Sequence, residues 1–221
     1  MRVIITGATG LVGSAVVRQC IVNQAITEAL ILTRKPLPRD ISNNAKIAVI
    51  IHEDFGSYPP ELLTRLSGAE GCIWTVGGPA YRFPDVETCK KVHDFALIAA
   101  NAFANTLAPA LKGKKFKFVF CSGMGAEWDQ TKPLWFLKDT RRIKGYVEKQ
   151  LAAVSDSKKD VFAVSCVRPS AILSSRANIL EKIYRAMVAG IEDDHLARVM
   201  IKILLEESSG RIIENDELRR G

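Results

Sequence analysis

The chain has 221 residues, of which 48% are hydrophobic and 25% are charged, and its formal net charge is +7. This length supports one sizeable core and is short for two domains, and the composition shows no low-complexity tract or internal repeat. The basic residues are scattered without interleaved aromatic residues, which disfavours nucleic-acid binding, although a positive field would favour an anionic ligand such as a phosphorylated dinucleotide.

The five cysteines are spread singly along the chain, with no pair at metal-ligand spacing. This usage predicts reduced, buried thiols in an intracellular protein, with neither disulfides nor a metal site. The segment Phe95–Leu111 carries no charge, but it contains Asn101 and Pro109 and is rich in alanine. It is therefore predicted to be a helix buried against a sheet rather than a membrane span, and we expect a cytoplasmic protein.

The first predicted element, a strand at Arg2–Thr6, runs directly into a glycine-rich loop that is followed by a helical pattern. The first glycine permits a tight turn, the second lets the backbone approach a phosphate, and the third allows close packing of helix and strand. The helix N-terminus adds free N–H groups and the positive end of a dipole, so the loop predicts a dinucleotide site. The cofactor-binding residues predicted here are Gly7, Thr9, Gly10, Leu11, Val12 and Gly13.

Strand-like and helical patterns then alternate along the chain. Strands are predicted at Arg2–Thr6, Ala29–Leu32, Ala45–Ile51, Gly71–Thr75, Phe116–Cys121, Phe162–Val167 and Arg211–Ile213. Helices are predicted at Leu11–Val22, Pro60–Ser67, Val86–Leu111, Thr140–Val154, Asn178–Ala189 and Asp194–Glu206, the last with Asp193 as N-cap. The continuous apolar strands predict a Rossmann-type, doubly wound parallel sheet of α/β class. We expect a single domain over residues 1–221, with residues 168–221 as a reduced substrate-side segment.

The loop after the second strand indicates which dinucleotide is bound. An NAD site usually places an acidic residue here on the ribose 2′-hydroxyl, whereas this chain has Arg34 and Lys35. Two cations suit a 2′-phosphate, so NADP(H) is favoured over NAD(H). The alternative is that both are ordinary loop charges.

The loops after the third and fourth strands supply two further candidates. Asp54 could accept a hydrogen bond from the adenine amino group, although acidic loop residues are common. Gly77, followed by Gly78, would let the backbone pass close to the cofactor ribose, and a plain turn is the alternative.

Taken together, the motifs resemble the atypical branch of the short-chain dehydrogenase/reductase superfamily, and in particular its small Tat-interacting-protein-like group. The resemblance covers most of the chain. It rests on Thr6–Gly13, Thr33–Lys35, Cys121–Gly123, Lys144-Gly145 with Glu148, Val167–Ser170, Asp194–Ala197 and Ile212–Asn215. It implies an NAD(P)-binding fold and adds Arg168, at the end of the sixth strand, to the expected cofactor-binding residues.

In that superfamily a Tyr-x-x-x-Lys pair on one helix carries the proton chemistry, and a serine after the fifth strand orients the carbonyl. The resemblance places Ser122 in the serine position and Lys144 in the lysine position, where the lysine also binds the nicotinamide ribose. Thr140, however, stands four residues before Lys144, where the tyrosine is expected. An aliphatic alcohol is a far weaker acid than a phenol, so Thr140 is a poor proton donor.

Two loops contain side chains that could replace the missing tyrosine as acid or base. Glu127 and Asp129 lie in the loop Gly123–Lys138, and Tyr81 lies in the loop Gly77–Asp85. Aromatic residues in these loops suit a pocket for an apolar or planar substrate, with core packing as the alternative. His93, on the following helix, is given no role beyond a structural one.

Three functions remain open. The first is an NADP(H)-dependent oxidoreductase acting on a small carbonyl or enone, with Ser122, Thr140, Lys144 and Glu127 as its candidate catalytic residues. The second is a non-redox isomerase, dehydratase or cyclase in which Glu127, Asp129 or Lys144 would carry acid–base chemistry. The third is a non-catalytic regulator that binds NADP. We expect a small-molecule substrate and neither a nucleic-acid nor a membrane partner, and a homodimer is compatible with the sequence.

Overall fold

The computed structural model describes residues 1–175, 189–206 and 210–221. All seven apolar runs form strands of one sheet, and every neighbouring pair in that sheet is parallel, which confirms the predicted fold class. Its strands are β1 (Arg2–Thr6), β2 (Glu28–Thr33), β3 (Ile47–Ile51), β4 (Gly71–Trp74), β5 (Phe116–Cys121), β6 (Phe162–Arg168) and β9 (Ile212–Glu214). A separate pair, β7 (Ile172–Leu173) and β8 (Ile191–Glu192), was not predicted, because two-residue strands carry no periodicity.

The described helices are α1 (Leu11–Val22), α2 (Arg39–Ser42), α3 (Pro60–Arg65), α4 (Val86–Thr106), α5 (Lys138–Ser157), α6 (Asp193–Leu205) and α7 (Asn215–Arg220). The short α2 and α7 were not predicted. The helix predicted at Asn178–Ala189 lies outside the described residues except for its last one. The α4 helix ends before the predicted Leu111, and the remainder forms a 3₁₀ turn around Pro109. Asp193 is the first residue of α6 rather than its N-cap, which is Glu192.

The strand order β3-β2-β1-β4-β5-β6-β9 places β1 in the interior of the sheet, with β2 and β4 on its two sides. The chain therefore reverses its direction of travel across the sheet between β1 and β4. In open parallel sheets of this kind, ligands bind beyond the carboxyl ends of the strands at this switch point. The fold therefore predicts a ligand site at the loops after β1 and β4.

Two apolar cores cover the two faces of the sheet. One contains Phe103 of α4 and Leu151 of α5 against Phe118 of β5, and the other contains Val16 of α1 and Met200 of α6 against Ile5 of β1. Because both faces are covered, most side chains of the central strands are buried, which explains their continuous apolar sequences. The loops beyond the carboxyl ends of the strands carry the polar chemistry.

Candidate cofactor and active site

The glycine-rich turn after β1 has the geometry that its spacing predicts. Gly7 has a φ of +71°, which is in the left-handed region that favours glycine. A Cβ atom on Gly13 would overlap the Gly7 backbone carbonyl, so α1 packs against the turn more closely than any side chain allows. Gly10 is the N-cap of α1 and has no side chain with which to cap it, which leaves the N–H groups of the first turn open to a ligand.

A threonine that the sequence reasoning missed holds this turn against β4. The Thr75 hydroxyl donates a hydrogen bond to the Thr6 carbonyl at 2.7 Å, and the Thr75 N–H donates to the Thr6 hydroxyl at 3.3 Å. These bonds join the ends of β1 and β4 at the switch point. No local pattern marks Thr75, because its partner lies 69 residues away.

A cavity of about 260 Å³ opens at the carboxyl ends of the strands, beside the glycine-rich turn. Its lining residues come from the loops after β1, β2, β3 and β4 and from α4. They are Gly7, Thr9, Leu32, Thr33, Arg34, Lys35, Glu53, Phe55, Val76, Val92 and Phe95. The structure therefore brings two of the predicted glycine-loop residues together with both predicted loop cations.

The cations are presented by a tight turn at the end of β2. The Thr33 hydroxyl accepts a hydrogen bond from the Lys35 N–H at 3.3 Å and lies 3.0 Å from the Lys35 carbonyl. Arg34 and Lys35 are both exposed, so their charged groups are free to meet an anionic ligand at the mouth of the cavity. This arrangement suits a phosphate better than an uncharged hydroxyl.

The acidic residue at the cavity is Glu53 rather than the predicted Asp54. The Asp54 carboxylate accepts a hydrogen bond from the Gly56 N–H at 2.9 Å and so closes its own turn. Glu53, one residue earlier, lines the cavity. Of the two adjacent carboxylates in this loop, Glu53 is therefore the one that lines the cavity.

The predicted turn at Gly77 packs directly on His93 of α4. Gly77 has a φ of +139°, and a Cβ atom there would lie 2.9 Å from His93 Nε2. The Gly78 N–H donates to His93 Nε2 at 3.4 Å, while His93 Nδ1 lies 2.8 Å from the Cys89 carbonyl. His93 is therefore a neutral imidazole that donates through Nδ1 and accepts through Nε2. Burial lowers its pKa to about 4, and the nearby Lys144 charge acts in the same direction.

Lys144 and Ser122 meet at the end of β5, although not through the serine hydroxyl. Lys144 Nζ donates to the Ser122 backbone carbonyl at 2.6 Å. The Ser122 hydroxyl is buried and has no hydrogen-bond partner in the described structure. A Cβ atom on Gly123 would lie 3.2 Å from Lys144 Nζ, so the ammonium packs against Gly123 as well as against the Ser122 carbonyl. Burial lowers the pKa of Lys144, opposed by Cys121, Glu148 and Cys89.

Thr140 is occupied by a structural contact. Its hydroxyl oxygen accepts a hydrogen bond from the Ala80 N–H at 2.8 Å, which ties the loop after β4 to the first turn of α5. Thr140 and Tyr81, together with Asp85, Val86, Leu137, Lys138 and Asp139, line a second cavity of about 250 Å³. Thr140 thus lies in a pocket, but with its oxygen already hydrogen-bonded.

Glu127 and Asp129, the carboxylates considered as replacement acids, are engaged within their own loop. Glu127 forms an ion pair with Lys132 at 2.8 Å, and Asp129 accepts from the Thr131 N–H and hydroxyl. These contacts hold the pKa of both carboxyls below the usual range, so neither keeps a proton at neutral pH. The loop backbone at Glu127 packs on Gly145 of α5, where a Cβ atom would overlap it.

Arg168 is committed to ion pairs. It binds Glu148 of α5 at 2.6 Å and Glu214 of β9 at 2.8 Å, and the Glu148 carboxylate also accepts from Trp128 Nε1 at 2.8 Å. Glu148 is fully buried, so this network fixes α5 and the loop before it to β6. The arrangement gives Arg168 a structural role, and its expected contact with a cofactor stays a prediction.

The aromatic residues of the loop before α5 were expected either to line a substrate pocket or to pack in the core, and they differ in their surroundings. Trp128 is tied to Glu148, whereas Trp135 is fully exposed and Phe136 is 72% exposed. Core packing therefore does not account for Trp135 or Phe136. They adjoin Leu137, which lines the second cavity and gives it an apolar wall.

No group of three or more histidine, cysteine, aspartate or glutamate side chains within 1–175, 189–206 and 210–221 could hold a metal ion. Among the described helices, none is both long and apolar enough to cross a membrane.

No protein-family model matches the chain. A curated protein named leucinostatins biosynthesis cluster protein T, from Purpureocillium lilacinum, is 32% identical to it over 189 residues. That match covers 78% of this chain and 65% of the relative, so the chain spans less than two thirds of the relative's length.

Solved structures show the same fold at low sequence identity. The chain is similar to Gre2 from Candida albicans, solved with NADPH, at 17% identity and a TM-score of 0.71, over 97% of this chain and 77% of that one. It is similar to MoeE5, solved with UDP-glucuronic acid and NAD, at 15% identity and 0.70, over 96% and 75%. A short-chain dehydrogenase/reductase from Vibrio parahaemolyticus gives 13% and 0.64, over 96% and 98%. The chain therefore has the Rossmann fold found in short-chain dehydrogenases/reductases.

Proposed function

We propose that the protein binds NADP(H) and is an oxidoreductase of the short-chain dehydrogenase/reductase superfamily, acting on a small carbonyl or enone compound. One observation carries the cofactor assignment: the cavity at the switch point is lined by Gly7 and Thr9 as well as by Arg34 and Lys35. The turn suits a pyrophosphate, and the two cations suit a 2′-phosphate. Membership of the atypical branch, and of its Tat-interacting-protein-like group, is proposed on the order of the motifs.

The residues present fit this cofactor. The open N-terminus of α1 and the glycine turn would hold the pyrophosphate, and Glu53, which lines the cavity, would accept a hydrogen bond from the adenine amino group. Lys144 of α5, whose ammonium reaches the Ser122 carbonyl after β5, would hold the nicotinamide ribose. When bound, the cofactor supplies a hydride, and the chain itself must orient the acceptor and deliver a proton.

The cofactor assignment is tested with the double variant Arg34→Ala/Lys35→Ala in fluorescence titrations of NADPH and NADH. Loss of two charge-assisted contacts should weaken NADPH binding about 10- to 100-fold, while NADH binding stays within about threefold. The control is Arg219→Ala/Arg220→Ala, which removes the same charge from exposed positions on α7. Unchanged NADPH affinity in the Arg34/Lys35 variant would contradict the assignment.

The redox assignment is tested by following NADPH absorbance with a panel of aldehydes, ketones and enones. Substrate-dependent oxidation of NADPH is expected, and tight binding of NADPH without its consumption would contradict the redox assignment.

The hydrogen bond between Thr140 and Ala80 favours a non-catalytic, NADP-binding regulator as the second candidate function, because it engages the Thr140 hydroxyl, which stands in the position of the family's acid. An NADPH-dependent change in a partner interaction, without turnover, would indicate that function.

A further inference from the structure

The proposed function leaves the proton donor unassigned, and the side chains weighed from the sequence do not fill that role. Thr140 accepts the Ala80 N–H and is an aliphatic alcohol, which is a very weak acid. Glu127 and Asp129 are ionised within their own loop. Asp85 caps α4, and its hydrogen bonds from the Thr88 N–H and hydroxyl lower its pKa.

A phenol lies beside the position where the family places one. Tyr81 follows Ala80 directly, and the Ala80–Thr140 hydrogen bond fixes the backbone of that segment against α5. Tyr81 and Thr140 line the same cavity of about 250 Å³, whose walls also include the apolar Val86 and Leu137. The loop after β4 therefore brings a tyrosine from another part of the chain to the first turn of α5.

This segment also reaches the cofactor cavity. Val76 lines the cavity at the switch point, and Tyr81, five residues later, lines the second one. Between them, Gly77 and Gly78 are held by His93. Thr140 lies four residues before Lys144 and hence one turn away on the same face of α5, so the cavity that Tyr81 lines adjoins the turn of α5 that precedes the expected ribose-binding lysine.

The other tyrosines in the described part of the chain are differently placed. Tyr58 packs edge-to-face on Phe103, with ring centroids 5.3 Å apart. Tyr146 is on α5, but two residues beyond Lys144 and so on a different face of the helix. Tyr81 is 70% exposed, so a proton given up by its hydroxyl can be replaced from water.

We infer that Tyr81 is the catalytic acid of this protein, and that Thr140 is a positioning residue which holds the Tyr81 segment against α5. This inference rests on the proposed oxidoreductase function. In the reduction, the carbonyl carbon would form its new C–H bond with the hydride that bound NADPH supplies, as the carbonyl π bond breaks toward oxygen. The Tyr81 hydroxyl gives its proton to that oxygen, NADP⁺ and an alcohol are released, and water returns the proton to the phenolate.

The test measures NADPH oxidation with 9,10-phenanthrenequinone, a planar dicarbonyl, in wild type and Tyr81→Phe. We expect kcat to fall at least 100-fold in Tyr81→Phe, because general acid catalysis contributes about 10²–10⁴-fold. The NADPH Kd from fluorescence should stay within twofold. Tyr146→Phe makes the same change at another half-exposed position and should keep wild-type kcat.

The positioning role of Thr140 is tested with Thr140→Val and Thr140→Ser. Valine keeps the shape but cannot accept the Ala80 N–H, so kcat should fall about tenfold with NADPH affinity retained, and serine should restore it. A Tyr81→Phe variant with wild-type kcat would overturn the inference while leaving the oxidoreductase proposal intact. Wild type that binds NADPH but oxidises none of it with the quinone or the carbonyl panel would overturn both.

Discussion

His93 should make the folded protein acid-sensitive, by an amount that its contacts define. The side chain is 1% exposed, and its Nε2 accepts a hydrogen bond from the Gly78 N–H. In a protonated ring, Nε2 would carry a hydrogen that points at the Gly78 N–H, so that hydrogen bond would be lost. The pKa is lowered from 6.5 to about 4, mainly by burial. Between pH 6.5 and 4 the unfolded chain therefore binds more protons at this position than the folded chain does.

The resulting stability is fully present above about pH 6.5 and is lost as the pH falls toward 4. Linkage gives a loss of about 2 kcal/mol at pH 5, and about 3 kcal/mol below pH 4. Urea unfolding at pH 7.5 and 5.0 measures it. His93→Gln has no titrating ring, so its stability should fall about 2 kcal/mol less than that of wild type over this interval. His93→Met serves the same comparison if glutamine is not tolerated. Equal losses in wild type and variant would refute the reasoning.

Two further changes test the packing around α5 by urea unfolding. Arg168→Met leaves the buried Glu148 carboxylate without its cation and should cost about 3–5 kcal/mol, whereas Arg211→Met, which removes a solvent-exposed pair with Asp156, should cost less than about 1 kcal/mol. Similar losses of stability in both variants would show that the burial of Glu148 does not raise the cost of removing its cation. Gly145→Ala forces a methyl group into the Glu127 backbone and should cost at least about 2 kcal/mol, whereas Gly210→Ala, whose Cβ would meet its nearest atom at 3.6 Å, should be nearly neutral. A stable Gly145→Ala protein would mean that the loop does not rest on α5 in solution.

The strands and the glycine-rich turn could be predicted because their signals are local. A continuous apolar run predicts a buried strand, and the spacing of Gly7, Gly10 and Gly13 predicts a tight turn between a strand and a helix. The observed strands differ from the predicted ones by at most two residues at either end. The sequence also placed Arg34 and Lys35 correctly at the end of β2, where both line the cavity.

The contacts that individual candidate site residues make could not be predicted, because their partners lie far away in the chain. Thr140 was weighed as a replacement for tyrosine, but what it does is decided by Ala80, 60 residues earlier. Arg168 follows a strand end as cofactor ligands do, yet Glu148 and Glu214 bind its side chain. The position of a motif predicts which end of the sheet a residue lies at. The hydrogen bonds and ion pairs that its side chain makes depend on neighbours that only the tertiary structure brings together.

The position of β1 within the sheet has a consequence for how the chain reaches its native state. β1 pairs with β2 once the chain has formed α1, but its other edge stays open until β4, some 65 residues further along, joins it. The same delay applies to the Thr75–Thr6 bonds that close the glycine-rich turn. A chain emerging during synthesis therefore exposes an apolar edge strand for much of its length, and its proposed nucleotide site is completed only by long-range pairing. Such topologies fold slowly and are vulnerable to association between unfinished chains.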